Sequence, residues 1–510
     1  MASRRDELNA YTFAKKRLRA AFLQPTPSGT EEGAPRPLRA VLPGMVIAVV
    51  ILAGFGAWGM FKPKAPEGWD EPAQKVIIGS ESTTRYVVLE TKKKKQLHPV
   101  LNLASAKLLL NPDTFEIVEV DESTLDNGDI PHGATLGIPY APDRLPKAEK
   151  ATERKRWAVC TQPGAGGNRV QEAAFVFADR DQRKVEGAGR LRSGDVMYVE
   201  GPDDNLFVVD GRGVAYPVDR DPKLLLSIVG KTRDEPQQVS SDWLDTLKRG
   251  DTIRFPSMSD IGERAGVPGN LRASADRIGT VLKARTGDGT QHYVVLRGEV
   301  RPVSDFVAKL LLNSEEAIQL GQRGKPTEVN SAAIAPEPRA YGATLKWPTE
   351  VARTVNKARG SQDTLCNVLR DVDKKDAGTT LSTWAGKDYP AALPNGSTSA
   401  YVTPGSGSLY RQVKGEDTKV GFVFLVTDTG LRYAVQGNAD SGQDASEIGT
   451  DGKPRSDQER QEDASREGNK AQIRLGYQDA EPVPVPAEWS KFLPTGPRLS
   501  TNAAKQPQGS

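Results

Sequence analysis

The sequence has 510 residues, 37% of them hydrophobic, and its 69 Lys and Arg barely outnumber its 66 Asp and Glu. That length exceeds one ordinary core and points to about three units; so small a charge excess gives no global basicity that would mark nucleic acid as a partner. Glycine (49) and proline (36) make one residue in six, which favours a turn-rich chain with β structure over a helical bundle.

Charge is concentrated at the head. Residues 1–39 hold eight basic groups (Arg4, Arg5, Lys15, Lys16, Arg17, Arg19, Arg36, Arg39) against Asp6, Glu7, Glu31 and Glu32. Ser3 and Asp6 form an S-x-x-D capping signal. Leu8, Tyr11, Ala14, Leu18, Ala21 and Phe22 then share one helical face, ringed by basic side chains. A helix over 1–23 is expected, which would lie on anionic lipid or dock on a partner's cytoplasmic domain through Leu8, Tyr11, Leu18 and Phe22. Residues 24–39, with four prolines, read as a linker.

Residues 40–61 carry no charge. As a helix these 22 residues would rise roughly 33 Å, enough for a hydrocarbon core of roughly 30 Å. The expected span runs from Ala40 to Phe61. Pro43 falls in its first turn, Gly44 is of a kind common in membrane helices, and Trp58 would anchor one interface. A cleaved signal peptide fits less well, because the apolar run is too long and its leader spans 39 residues. The basic flank would stay in the cytoplasm and the bulk of the chain would be translocated, giving a single-pass inner-membrane topology.

The body contains a degenerate repeat: a β-rich run, a turn, then a short strand ending in Pro-Val. The copies are Tyr86-Val-Val-Leu with His98-Pro99-Val100, Leu206-Phe-Val-Val with Tyr216-Pro217-Val218, Tyr293-Val-Val-Leu with Arg301-Pro302-Val303, and Phe422-Val-Phe-Leu-Val with Tyr433-Ala434-Val435. The fourth has Ala434 in place of the proline at Pro99, Pro217 and Pro302. Turns are explicit at Asp210-Gly211, Arg297-Gly298 and Asp428-Thr-Gly430; in the first copy the turn holds Lys92–Lys95, a solvated hairpin tip. A helix-like stretch follows three copies, at Ala104–Leu110, Leu224–Val229 and Val307–Leu312. Such units bury too little surface to stand alone.

Between them lie Trp157-Ala-Val-Cys160 and Thr364-Leu-Cys366, two separated stretches expected to build one central domain. The only cysteines are Cys160 and Cys366. An even count in an oxidising compartment argues for a disulfide. The fold class expected is α+β, with small hairpin-plus-helix repeats around a disulfide-tied centre. The boundaries are a linker at 62–75, repeat 1 at 76–146, the central domain at 147–200 and 336–420, repeat 2 at 201–265, and repeat 3 at 266–335. Repeat 4 takes 421–499 with a disordered insert at 438–470, and 500–510 is a frayed tail.

No catalytic, cofactor or metal site is expected. His98, His132 and His292 are isolated, and no H-x-x-x-H or C-x-x-C spacing supports zinc. A P-loop needs four residues between its glycines; Gly321-Gln-Arg-Gly324-Lys325-Pro326-Thr327 has two, and Pro326 stands where a magnesium-binding hydroxyl belongs. Gly449-Thr-Asp-Gly452-Lys453-Pro454 fails likewise.

Arg4-Arg-Asp-Glu-Leu-Asn-Ala-Tyr-Thr-Phe13 leading to Ala21-Phe-Leu-Gln-Pro25 resembles the head of EccB, the membrane component of actinobacterial type VII (ESX) secretion systems. Leu97-His-Pro-Val-Leu-Asn-Leu-Ala-Ser-Ala106, Thr135-Leu-Gly-Ile-Pro139, Trp157-Ala-Val-Cys160, Val426-Thr-Asp-Thr-Gly430 and Leu493-Pro-Thr-Gly-Pro-Arg-Leu-Ser500 extend the resemblance in order to the tail. It implies a structural core subunit of a secretion complex, alongside a motor ATPase of the EccC type, EccD and EccE, with four repeats flanking a central domain tied by a disulfide. The exported part is expected to self-associate. The ATPase label sometimes given to the family is in doubt without a P-loop. A cell-wall-binding anchor and an exported nucleotide hydrolase are the alternatives.

Overall fold

A computed structural model describes residues 3–23, 37–60, 65–164, 170–230, 235–287, 289–356, 362–394, 399–435, 448 and 470–508. The chain divides into two compact units, Met1–Glu67 and Gly68–Ser510.

The described residues of the first unit form two helices. Arg4–Leu23 is capped as its sequence suggests: Asp6 Oδ2 accepts from the Ser3 amide at 3.1 Å, and Asp6 N donates to the Ser3 carbonyl. Leu8, Tyr11, Leu18 and Phe22 are all exposed. The second helix is Pro37–Met60. Here the expected topology needs correction. Among the described residues, no helix is long and apolar enough to cross a membrane. The transmembrane helix from Ala40 through Pro43, Gly44 and Trp58 to Phe61 is therefore not supported, nor is the single-pass localisation that depended on it. Phe61 itself and the linker residues 24–36 lie outside the described residues.

The second unit is built from four modules and a central sheet. Each module has one plan: three antiparallel strands, a helix, and a return strand parallel to the first. In the first module the strands are Lys75–Gly79, Arg85–Thr91 and Lys94–Pro99, followed by helix Leu103–Leu109 and return strand Glu116–Val120. The second uses Asp195–Glu200, Leu206–Asp210, Val214–Val218, helix Pro222–Val229 and the two-residue return Gln237–Gln238. The third uses Val281–Thr286, Gly289–Leu296, Glu299–Val303, helix Asp305–Asn313 and Thr327–Val329. The fourth uses Ser408–Val413, Val423–Val426, Arg432–Ala434, helix Lys470–Arg474 and Val483–Pro486.

Local chemistry explains the plan. After the third strand a helix start is set by Asn102, Asp221 or Ser304, whose side chains accept from Ser105 N, Lys223 N and Val307 N respectively. A later segment then lies along the free edge of the third strand. Its amides donate to equivalent carbonyls in all four modules: Leu136 to Pro99 (2.8 Å), Ile253 to Pro217 (2.7 Å), Tyr341 to Pro302 (2.9 Å) and Leu499 to Ala434 (2.8 Å). Proline is tolerated there because its missing N–H faces that outer edge and not the second strand. Opposite it on the second strand stands an aromatic residue each time: Tyr86, Phe207, Tyr293 and Phe424.

The modules pack in pairs. First and fourth share a core of Val76, Val87, Leu108, Leu409, Leu425, Tyr433 and Tyr477. Second and third share another, including Val208, Tyr216, Ile228, Val294, Phe306 and Leu310. Residues 500–510, expected to fray, are folded as far as 508. Ser500 caps helix Thr501–Ala504, Ala504 is fully buried, and Gln508 N donates 2.8 Å to Thr135 O of the first module. Small side chains let this helix approach Leu103–Leu109 closely, which reverses the expectation of a loose tail. The insert at 438–470 falls outside the described residues except for Ile448 and Lys470.

Candidate functional site: the disulfide-tied centre

The central sheet runs Thr379–Gly386, Thr364–Val372, Arg156–Pro163, Val170–Phe177, Ala400–Val402. It thus draws on two stretches some two hundred residues apart. Asp195–Glu200 and Ser408–Val413 fall inside the stretches assigned to the central domain from sequence, yet they open the second and fourth modules. Asp195–Glu200 is buried along all but its last residue and Ser408–Val413 over its first three, a pattern compatible with either sheet.

Cys160 and Cys366 sit directly opposite each other on adjacent antiparallel strands, with Cα atoms 4.0 Å apart, and are joined by a disulfide. Both are fully buried, among Phe175, Phe177, Val368 and Trp384. Side chains alternate along the strand. Ala158 and Cys160 therefore face this cluster, while Trp157 and Val159 face the opposite one. That opposite cluster reaches Met197 and Phe207 of the second module, and Tyr410, Phe424 and Trp489 of the fourth. The centre is the joint through which the two module pairs are held.

Polar contacts pin the joint. Trp243 is fully buried and its Nε1 donates 3.2 Å to Val159 O, while Asn367 Nδ2 donates to Trp243 O (3.1 Å) and Thr246 Oγ1 (2.7 Å). Asn356 brackets Tyr198, accepting from its amide at 2.7 Å and donating to its carbonyl at 2.9 Å. Thr383 Oγ1 donates 3.0 Å to Asp210 O. Glu186 gathers three guanidinium groups, Arg156 at 2.9 Å, Arg370 at 3.0 Å and Arg190 at 3.0 Å. Burial raises its pKa, but these three cations outweigh burial and hold the carboxyl below its ordinary value.

Beside this cluster a polar cleft of about 580 Å³ is lined by Glu186, Arg190, Ser193, Asp195, Arg212 and Glu350, among others. Its acids are engaged: Asp195 with Arg353, Asp210 with Arg212 at 2.9 Å and Tyr216 at 3.1 Å, Glu350 with Ser193. Burial first, then the Asp210 charge, pushes the Tyr216 phenol well above its ordinary pKa, so it stays protonated and donates. No histidine lines the cleft. Among the described residues, no group of three or more His, Cys, Asp and Glu could hold a metal ion. The arrangement is that of a clamp.

The histidines are dispersed. His98 is buried in the first module with Nδ1 2.8 Å from Ala134 O, His132 lies 3.3 Å from Asp126, and His292 Nδ1 is 2.8 Å from Asp305 Oδ1. Pro99, Pro217 and Pro302 hold the equivalent edge positions described above. Sequence reading missed Glu186, Trp243, Asn356 and Asn367. Only Trp243 carried a local signal, lying three residues after its N-cap Ser240.

The sequence model of the family described as "Type VII secretion system ESX-1, transport TM domain B" matches residues 1–509. The ESX-3 secretion system ATPase EccB3 of Mycobacterium tuberculosis is 27% identical over 493 residues, covering 91% of this chain and 81% of that protein. The ESX-2 secretion system ATPase EccB2 of the same species is 30% identical over 61% of this chain and 59% of its own length. A chain of an intact ESX-5 inner membrane complex superimposes with a TM-score of 0.57 at 20% identity, covering 100% of this chain and 96% of that one. EccB3 from a dimer of the ESX-3 core complex gives 0.57 at 23% identity, over 84% and 99%. At these identities the structural likeness shows a shared fold. With a family match that runs from the first residue to 509, the chain belongs to the EccB family of type VII secretion proteins.

Proposed function

We propose that this chain is a structural, membrane-associated subunit of a type VII secretion core complex, and that it performs no catalysis of its own. The observation that carries this is the centre: a disulfide and buried polar contacts lock two module pairs into one body. Rigid scaffolds that present surfaces to neighbours need this kind of joint. The partners in this reading are an EccC-type motor ATPase, EccD, EccE and further copies of the chain itself, with lipid around the N-terminal unit. Support for multi-subunit assembly comes from the fold shared with chains of an ESX-5 inner membrane complex and an ESX-3 dimer. The exposed apolar side chains Leu8, Tyr11, Leu18 and Phe22 offer one docking face.

Several relatives are named ATPases. In this reading hydrolysis belongs to the motor subunit, because neither glycine-lysine stretch of this sequence has P-loop spacing. The test is gentle solubilisation, native electrophoresis and identification of co-migrating subunits, with ATP turnover measured on the purified chain. Isolation always as a lone chain, or hydrolysis at enzymatic rates by the chain alone, would overturn the proposal.

A further inference from the structure

The four modules contain four equivalent turns between their second and third strands, and one differs from the rest. In the second, third and fourth modules that turn places a glycine in the left-handed region: Gly213 at φ 73°, Gly298 at φ 72° and Gly430 at φ 81°. Glycine is the residue suited to this backbone. The first module joins Arg85–Thr91 to Lys94–Pro99 by a two-residue turn, and both central residues are lysines, Lys92 at φ 51° and Lys93 at φ 64°. A side chain in this region is disfavoured. The turn thus gives up local stability that three sister turns keep, and carries two charges in exchange.

The tip is also strongly basic. Lys92, Lys93, Lys94 and Lys95 are all exposed. Lys95 reaches Asp70 at 2.7 Å, whereas Lys93 and Lys94 have no ion-pair partner among the described residues. No other hairpin tip in the chain has four consecutive cations. Along the chain, residues 61–74 separate helix Pro37–Met60 from the first strand of this module. The described side chains 41–56 of that helix are uncharged and exposed. A weakly attractive basic patch on a short tether from an apolar membrane-binding segment gains from high effective concentration.

We infer that the Lys92–Lys95 hairpin tip is a docking surface for the anionic phospholipid headgroups of a membrane. Each lysine near such a surface contributes roughly a fivefold gain in affinity at low salt. The inference deepens the membrane-associated role proposed above, and its failure would leave co-purification with other subunits unaffected.

The experiment uses full-length protein mounted on nanodiscs of phosphatidylcholine alone or with phosphatidylglycerol. Lysine acylation rates are read by mass spectrometry. On anionic discs Lys93 and Lys94 should react at least about fivefold more slowly than on neutral discs, with the rates converging at high salt. Exposed Lys375 and Lys414 should react alike on both. The double variant Lys92→Asn with Lys93→Gly keeps a favourable turn while removing two charges, so the protection of Lys94 should fall below about twofold. Equal rates on the two discs would overturn the inference, as would protection by an anionic polymer on neutral discs without protection by lipid. Undiminished protection of Lys94 in the variant would overturn it too.

Discussion

Replacing both cysteines by alanine should destabilise the large unit against denaturant while leaving its native contacts in place. The bridge closes a loop of 206 residues containing the second and third modules. In the chain-entropy model the unfolded-state entropy removed amounts to about 5 kcal/mol at 25 °C. Measured bridges more often give roughly 2–4 kcal/mol, so the double variant Cys160→Ala with Cys366→Ala is expected in that lower range. The native strands are paired in register on both sides of the bridge, so native circular dichroism should survive. The assay is guanidinium unfolding followed by tryptophan fluorescence, because Trp157, Trp243 and Trp384 all lie in the two clusters of the centre. Reductant should move the wild-type midpoint to that of the variant. An unchanged midpoint in both experiments would refute the claim that the bridge constrains the unfolded chain.

Three further outcomes follow from the same joint and its neighbours. Trp243→Ala removes a fully buried indole and its bond to Val159 O, and should cost roughly 3–5 kcal/mol; a loss below about 1 kcal/mol by denaturation would show that the second module does not lean on the centre. Glu186→Ala leaves Arg156, Arg190 and Arg370 facing one another. Breaking a fully buried pair costs roughly 3–5 kcal/mol, and partial exposure of the arginines reduces this to about 2 kcal/mol, with Glu186→Gln recovering part of it in thermal melts. His98 has its pKa lowered by burial, against which the Ala134 carbonyl only partly compensates. Stability from this neutral ring is complete above its unfolded value of 6.5 and is lost as pH falls through and below it toward the folded value. The slope is at most about 1.4 kcal/mol per pH unit. His98→Gln should remove that slope; melts of the two proteins that change in parallel from neutral to acidic pH would count against it.

Much of the large unit can be read from local chemistry. The glycine turns, the strand-ending prolines and the helix caps each follow from backbone preferences that act within a few residues. The cysteine pair and the central sheet are legible for a different reason, since two cysteines leave one intramolecular pairing. What stays hidden is pairing between distant short segments. Gln237–Gln238 is a strand only because Val199 and Glu200 offer it an edge. Nothing in Glu186 foretells three arginines drawn from two sheet strands and a neighbouring loop. Ala503 and Ala504 look like the polar, small-residue end of a chain, yet smallness is what suits them to a helix interface. The apolar stretch 40–61 misleads in the other direction. Its composition matches a membrane span, whereas among the described residues no helix is long and apolar enough to cross one.

The docking of Gln508 onto the first module sets an order of events. Gln508 lies 371 residues downstream of Gly137, whose carbonyl it meets, so the first module remains unfinished until a segment synthesised far later arrives. Maturation of this chain is a closure step, with an incomplete edge and a half-filled core held open meanwhile. A product lacking that segment would therefore display its defect far away along the sequence, in the module the segment completes.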